Sequence, residues 1–326
     1  MSDRLSIIIV SYNTRDLLDQ CLLSIAKNPP SIDYEIVVVD NASSDGTVKM
    51  LCEHHNDVKL LARTDNPGYG VAVNNGVTHA SGNYLMFLNP DIEVPPGTFD
   101  AMLGFLRDNS KAGLVGPKLV LGNGQVQNSA RPRLSIMRTI FEASRLHLLL
   151  PRSLRARVML SQYWSQSTNL QVPWICGACH LIPRLVWDEV GSLTEETFCG
   201  FDDYDYCYRV WKNGYEVWIL GESFMTHHCS VAVRNRWSPW EVEQVAIHNT
   251  YVVLSSHWPK WRVRLYAVGE CFSCGTEWVR NKIVLRPEMR DMEEPWTERI
   301  RNRIRLLWAI AVGRQEPIKR CQRPGR

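Results

Sequence analysis

The sequence predicts an α/β protein, a mostly parallel sheet flanked by helices with a C-terminal helical extension. Three observations carry that expectation. Short continuous runs of apolar and β-branched residues alternate with segments of helical spacing through the first third of the chain, as a parallel sheet with crossover helices requires. Polar loops rich in Asn and Asp follow those runs. From about Trp237 onward the pattern changes to amphipathic helices.

Residues 5–10 (LSIIIV) form the first apolar run, read as a strand buried on both faces. The polar loop SYNT follows. Residues 15–27 then place Leu17, Leu18, Cys21, Leu22 and Ile25 on one side of a helix, which Pro29-Pro30 stops. Residues 34–39 are a second buried strand, running into the loop DNASSDGT and a helix through Leu51 and Cys52. Residues 58–62 read as a short strand, 71–80 as a helix, and 84–88 as a strand ending in Asn89-Pro90-Asp91. Parallel crossovers bring the loops after the strands to one edge of a sheet, so the loops after Val10, Val39 and Leu88 converge on one cleft. No GxGxxG turn follows a strand, which excludes a dinucleotide fingerprint. Residues 122–135 read as a mobile loop, 136–170 as helical or irregular, 174–183 as one strand, and 217–220 as another.

The chain has 326 residues, 45% of them hydrophobic, enough for one large domain with an appendage. The expected division is 1–235 and 236–326. A charged fraction of 22% and a net charge of +3 exclude a disordered chain and a strongly basic nucleic-acid binder. The basic excess lies mostly in residues 296–326. Only a short apolar run follows the opening MSDR, too short for a secretory signal, and a cytoplasmic protein is expected. Among ten cysteines, Cys176/Cys179 and Cys271/Cys274 have CxxC spacing. They lie too far apart in sequence to favour a zinc site over reduced, buried thiols.

Three clusters carry chemistry. Asp91, at the end of a buried strand, suits Mg²⁺ or Mn²⁺, which take one or two carboxylates together with phosphate oxygens. The plainer alternative is a turn that caps the next element. Asp202, Asp203 and Asp205 crowd like charges at the start of a helix. Crowding raises their pKa values and suits a general base, although acidic residues also favour helix N-termini on dipole grounds alone. His227-His228 follows the last strand. In an extended segment adjacent side chains point to opposite faces, so at most one is a metal ligand.

Seven segments, in order, resemble the family 2 glycosyltransferases of GT-A fold, and within them the rhamnosyltransferase-like branch: IIIVSYNTRDLLDQCLLSI (7–25), IVVVDNASSDGT (36–47), NPGYGVAVNNG (66–76), SGNYLMFLNPDIEVPPG (81–97), GACHLIPR (177–184), FDDYDYCYRVWKNGYEV (201–217) and the histidine pair. The resemblance covers residues 5–235. It implies a nucleotide-sugar site in which Tyr12 and Asn13 hold the base, Asp40 with Asn41 binds base or ribose, and Asn66, Gly68 and Asn74 line the cleft. It aligns Asn89-Pro90-Asp91 with the family's metal-binding DxD motif, one acid short, with Asp91 as its last acid. Asp203 matches the catalytic base, with Asp202 where the family often has Glu. His227 matches a further metal contact, and His228 is the fallback. The implied reaction is an inverting single displacement from a nucleotide-diphospho-sugar (dTDP-rhamnose or a UDP-sugar) to a hydroxyl of a glycan or lipid-linked acceptor, assisted by Mg²⁺ or Mn²⁺, in cell-surface polysaccharide synthesis.

Residues after 235 match nothing in that family. There, His257, Trp258, Lys260, Trp261, Arg262 and Arg264, and later Trp296, Arg299, Arg303 and Trp308, interleave aromatic and basic side chains. That pattern suits peripheral contact with an anionic membrane face, or a helical subdomain. No 18-residue apolar stretch is present to span a bilayer. Two rival readings are a non-catalytic nucleotide-sugar-binding partner subunit and a nucleotidyltransferase. The latter would show a Gly-rich phosphate loop where SYNT stands.

Overall fold

The computed structural model describes residues 3–160, 163–228, 238–283 and 296–314. The strands are β1 (Arg4–Ser11), β2 (Asp33–Asp40), β3 (Lys59–Ala62), β4 (Tyr84–Leu88), β5 (Ile92–Glu93), β6 (Ala112–Leu121), β7 (Ala130–Arg131), β8 (Leu170–Gln171), β9 (Trp174–Ile175), β10 (Cys179–Pro183) and β11 (Glu216–His227). The helices are α1 (Arg15–Lys27), α2 (Thr47–His54), α3 (Tyr69–Thr78), α4 (Thr98–Asp108), α5 (Ile136–Ala143), α6 (Arg152–Met159), α7 (Arg184–Val190), α8 (Asp202–Lys212), α9 (Pro239–His257), α10 (Lys260–Ile283) and α11 (Trp296–Ala311). They fall into two compact units, one holding β1–β11 with α1–α4, α7 and α8, the other holding α5, α6 and α9–α11. The second unit thus takes in residues 133–159, which the sequence reading grouped with the first domain.

The main sheet of the first unit runs β3-β2-β1-β4-β10-β6-β11-β5. β1 pairs in parallel with β2 and β4, from Arg4 opposite Asp33 up to Ser11 opposite Asp40, and from Leu5 opposite Tyr84 up to Ile9 opposite Leu88. β10 enters antiparallel beside β4, with Cys179 opposite Leu88. Both faces of β1 are buried, which is why its sequence is a continuous apolar run rather than an alternating one. Leu5, Ile7 and Ile9 share a core with Leu18, Leu22 and Ile25 of α1 and with Phe99, Met102 and Leu103 of α4. Ile8 faces the other way. It approaches α3 so closely that a Cβ at Gly76 would lie 2.6 Å from its Cγ2. Each such buried Leu or Ile contributes roughly 1.5–3 kcal/mol, and this packing fixes the height at which the loops leave the sheet.

Several expectations are corrected. The run 174–183 is not one strand. It breaks at Gly177-Ala178 between β9 and β10, and Asn89 N–H donates to the Ala178 carbonyl at 2.9 Å in that break. Residues 125–131 are tied into structure rather than loose: Gln127 N–H donates to Leu119 O (2.8 Å), and β7 pairs antiparallel with β9. β11 runs far past 220, through an irregularity between Leu220 and Phe224, and ends at His227 beside β5.

In the second unit, Ser238 and Glu241 close a capping box at the start of α9. Buried Tyr251, Tyr266 and Trp258 stack edge-to-face or tilted, and Arg262 sits 4.1 Å over the Trp258 ring. Arg303 of α11 bridges Glu243 of α9 and Glu270 of α10, both at 3.2 Å. Cys229, Cys321, Lys319, Arg320, Arg323 and Arg326, and the side chain of Trp296, lie outside the described residues.

Candidate active site

The carboxyl ends of β1, β2 and β4 set the site. Asn13 adopts the left-handed conformation (φ 51) that Asn tolerates better than most residues. Its side-chain oxygen accepts from Ser44 N–H at 2.8 Å, and its own N–H donates to Ser43 Oγ at 2.9 Å. Asn13 therefore laces the β1 loop to the β2 loop, with Tyr12 half-buried beside it.

Asp40 and Asn41 are almost wholly buried at the end of β2. Asp40 Oδ2 accepts from Ser43 N–H at 2.9 Å. Asn41 Nδ2 donates to the Gly68 carbonyl (3.3 Å) and Asn66 Oδ1 (3.4 Å). The other side-chain oxygens, Asp40 Oδ1 and Asn41 Oδ1, are buried and accept no hydrogen bond from any described residue. Leaving buried acceptors unmatched costs roughly 1–3 kcal/mol each, so such a pair at a sheet edge suits a ligand rich in N–H and O–H donors.

Gly68 and Asn74 build the opposite wall. Gly68 has φ +107, and a Cβ there would collide with the Phe198 carbonyl, to which the next residue, Tyr69, donates its N–H at 2.8 Å. Asn74 Nδ2 donates to Leu193 O and Glu195 Oε1, and its Oδ1 accepts from Leu193 N–H at 3.0 Å. Asn74 thus clasps the loop 193–198 to α3 rather than pointing its amide at the cleft.

Asp91 lies just beyond β4 and is buried. Pairing of β11 with β5 brings His227 opposite Ile92, and His228 N–H donates to the Asp91 carbonyl at 3.0 Å. The two histidines diverge, as extended backbone requires. His227 is buried with Nε2 3.2 Å from Asp91 Oδ1, whereas exposed His228 reaches toward Glu93 Oε2 at 3.7 Å. The His227 ring is held from behind: Nδ1 lies 2.6 Å from Gln127 Oε1. An amide oxygen only accepts, so Nδ1 is the donor in that contact, and Nε2 lies within ion-pair distance of the Asp91 carboxylate. Among the described residues no three His, Cys, Asp or Glu side chains form a metal-holding group. The protein therefore offers one nitrogen and one carboxylate, which fits Mg²⁺ or Mn²⁺ completed by phosphate oxygens and water.

The acidic cluster at the start of α8 resolves into distinct roles. Asp205 pairs with Arg209 one turn on (2.7 Å), and that guanidinium also donates to the carbonyls of Val190 and Ser192. Asp203 is held by two main-chain donors: Gly177 N–H to Oδ2 (3.1 Å) and Tyr204 N–H to Oδ1 (2.8 Å). The Gly177-Ala178 break is what offers that N–H, and a Cβ at Gly177 would press to 3.2 Å from the Cβ of Asp203. Burial raises the Asp203 pKa, opposed by the two N–H donors and by the Arg131 charge. Burial, with the Asp203 charge second, pushes Asp202 up to about 7. Burial outweighs the helix dipole, which alone would lower both. Burial and the charges of both aspartates also raise Tyr69. Sequence reasoning gave no role to Gln127, a neutral amide without charge or motif to mark it, or to Gly177, which it quoted only as the first residue of the segment 177–184.

A parallel sheet with buried acceptors after β2, an Asp–His pair after β4 and a hydrogen-bonded carboxylate at the mouth of α8 is the organisation of a glycosyltransferase of GT-A fold. Residues 6–163 match the model of glycosyl transferase family 2, and together with the relatives below this match supports a rhamnosyltransferase-like glycosyltransferase of that family. It is 28% identical over 241 residues to an N-acetylglucosaminyl-diphospho-decaprenol L-rhamnosyltransferase of Mycobacterium tuberculosis, covering 70% of this chain and 77% of that protein. It is 32% identical over 127 residues to a dolichol-phosphate mannosyltransferase of Pyrococcus furiosus, 38% of this chain and 36% of the relative. Its fold is like that of a Pyrobaculum calidifontis mannosyltransferase solved with GDP-Man and Mn²⁺ (TM-score 0.52, 18% identity, 96% of this chain and 89% of that one). It is also like that of GalNAc-T7 solved with UDP, GalNAc and Mn²⁺ (TM-score 0.61, 17% identity, 83% of this chain and 51% of that one).

Proposed function

We propose that this glycosyltransferase moves a sugar, with inversion, from a nucleotide-diphospho-sugar (dTDP-rhamnose or a UDP-sugar) to a hydroxyl of a glycan or lipid-linked acceptor in cell-surface polysaccharide synthesis. The observation that carries the reading is Asp203: a carboxylate oriented by two main-chain N–H groups, with its pKa raised toward the operating range of a general base. Asp203 takes the proton of the acceptor hydroxyl as that oxygen bonds to the anomeric carbon. The bond from that carbon to the diphosphate oxygen breaks on the opposite face, and the nucleoside diphosphate departs with the electron pair. No covalent enzyme intermediate is needed. Asp40 and Asn41 receive N–H and O–H donors of base and ribose, on a floor laced by Asn13 beside Tyr12. Asn66 and Gly68 form the wall with Asn74 behind it, and Asn89 anchors the turn that presents Asp91. Asp91 and His227 would hold Mg²⁺ or Mn²⁺, which when bound supplies Lewis-acid stabilisation of the leaving diphosphate. Asp202 shares the local proton balance with Asp203.

The reading extends to a peripheral membrane site. No described helix is long and apolar enough to cross a bilayer. On α10, however, Trp261, Leu265, Val268, Phe272 and Val279 are all exposed, spaced three, four or seven residues apart and so on one side of the helix. Lys260, Arg262, Arg264, Arg280 and Lys282 accompany them. An apolar stripe with basic neighbours suits the interface of an anionic bilayer, where a lipid-linked acceptor would reside at the cytoplasmic face.

The deciding assay follows nucleoside diphosphate release from dTDP-rhamnose and from UDP-sugars, with and without a polyprenyl-diphospho-sugar acceptor and Mn²⁺. Acceptor-dependent release from one donor is the expected result. Release from none, with no nucleotide raising the melting temperature, would overturn the proposal.

A further inference from the structure

The structure assigns Gln127 as the positioning residue of the Asp91–His227 pair, an inference that rests on the proposed metal site and goes beyond it. The buried imidazole has one nitrogen on each side of the problem. Nδ1 meets Gln127 Oε1 at 2.6 Å, and Nε2 lies 3.2 Å from Asp91 Oδ1. Which nitrogen carries the proton decides whether the ring can give a lone pair toward Asp91, and the partner of the other nitrogen sets that choice.

Gln127 is itself fixed. Its Nε2 lies 3.8 Å from Cys176 Sγ, a weak acceptor, while its Oε1 faces the histidine. Its N–H donates to Leu119 O, and its carbonyl accepts from Gln166 Nε2 at 2.6 Å. Gln166, fully buried and in a left-handed conformation (φ 51), also accepts from Ser129 Oγ at 2.8 Å. A chain of contacts thus runs Gln166, Gln127, His227, Asp91. Its members come from four separate stretches of sequence, and each is built on main-chain anchors. An amide is suited to this position because it stays neutral. A carboxylate would also accept from Nδ1 but would bring a charge, and an apolar side chain would leave the ring free to turn or to change tautomer.

The test uses the full-length protein with Gln127→Leu and Gln127→Glu, and reads three things besides turnover. Ring ¹⁵N shifts of His227 in the metal-free protein report the tautomer. Calorimetric or paramagnetic titration with Mn²⁺ in the presence of nucleoside diphosphate reports affinity, and thermal melting reports folding. Q127L is expected to lose the single Nδ1–H tautomer and to bind Mn²⁺ about 10–100-fold more weakly, the usual effect of removing such a support. Q127E should keep the proton on Nδ1, since a carboxylate also accepts there, and its tautomer readout is the control for Q127L. Wild-type tautomer and wild-type Mn²⁺ affinity in folded Q127L would overturn the assignment. If the wild-type protein itself takes up no Mn²⁺ with any nucleotide, the metal reading fails. The tautomer measurement, made without metal, then still decides whether Gln127 orients His227.

Discussion

At the scale of single residues, the two aspartates that open α8 sit one position apart and do different things. Asp203 makes its contacts through two N–H groups and is the proposed base. Its replacement by Asn should lower transfer by about 10²–10⁴-fold while nucleotide-induced melting shifts stay at wild-type size. An equal loss of both would argue for a binding role instead. Asp202 titrates differently. Pushed from 3.8 to about 7, it keeps a proton in the folded state that the unfolded chain loses. The folded state then binds more protons across that window, so this group's contribution makes stability fall as pH rises from about 4 to about 7. In Asp202→Asn that slope disappears. The melting temperature of the wild type should therefore fall relative to the variant as pH climbs through the window, and a difference that stays flat would remove the assignment. The carboxylates and histidines of the proposed site stand out in the sequence because charge and motif mark them. Gln127 was not, since a neutral amide in a polar stretch announces nothing until the chain brings it 2.6 Å from a ring nitrogen.

Whole elements were read with uneven success, and composition explains the pattern. β1 and β2 declare themselves because strands buried on both faces must be apolar throughout. β6 did not, because Gly113, Gly116 and Pro117 interrupt it. Those interruptions have structural causes: at Gly113 a Cβ would meet Tyr215, and at Gly116 it would meet Ile175. The junction before α3 shows the same logic at higher stakes. Gly68 combines a positive φ with a main-chain carbonyl where a Cβ would stand. Gly68→Ala is expected to cost more than the roughly 1–3 kcal/mol of a strained backbone alone and to lower the melting temperature by several degrees. A variant that melts with the wild type would mean that the loop 193–198 yields freely.

For the whole molecule, the sequence reading groups residues 133–159 with the sheet-bearing part, whereas by contact they cluster with the C-terminal helices. The reason is chemical. α5 meets α10 through small contacts, Gly269 against Ile136 and Thr139, and a small-residue meeting leaves no long-range pattern in sequence. The exposed stripe of α10 was visible only as interleaved Trp and Arg until its solvent-facing side was known. Trp261, 66% exposed, is the residue whose loss should matter most for adsorption. Trp261→Glu with Phe272→Glu is expected to reduce sedimentation with vesicles rich in anionic lipid by tenfold or more, with unchanged melting. Equal sedimentation of variant and wild type would show that these side chains face something other than lipid.

The paired histidines at the end of β11 carry one more consequence. A strand presents alternate residues to each face, so an uncorrected insertion or deletion upstream inverts everything beyond it. β11 contains the irregularity between Leu220 and Phe224 where such a change would be taken up. If the irregularity absorbs it, His227 stays beside Asp91. If it does not, a one-residue deletion brings His228 into the place of His227, whereas a one-residue insertion puts Thr226 there. The doublet therefore covers a lost residue and not a gained one.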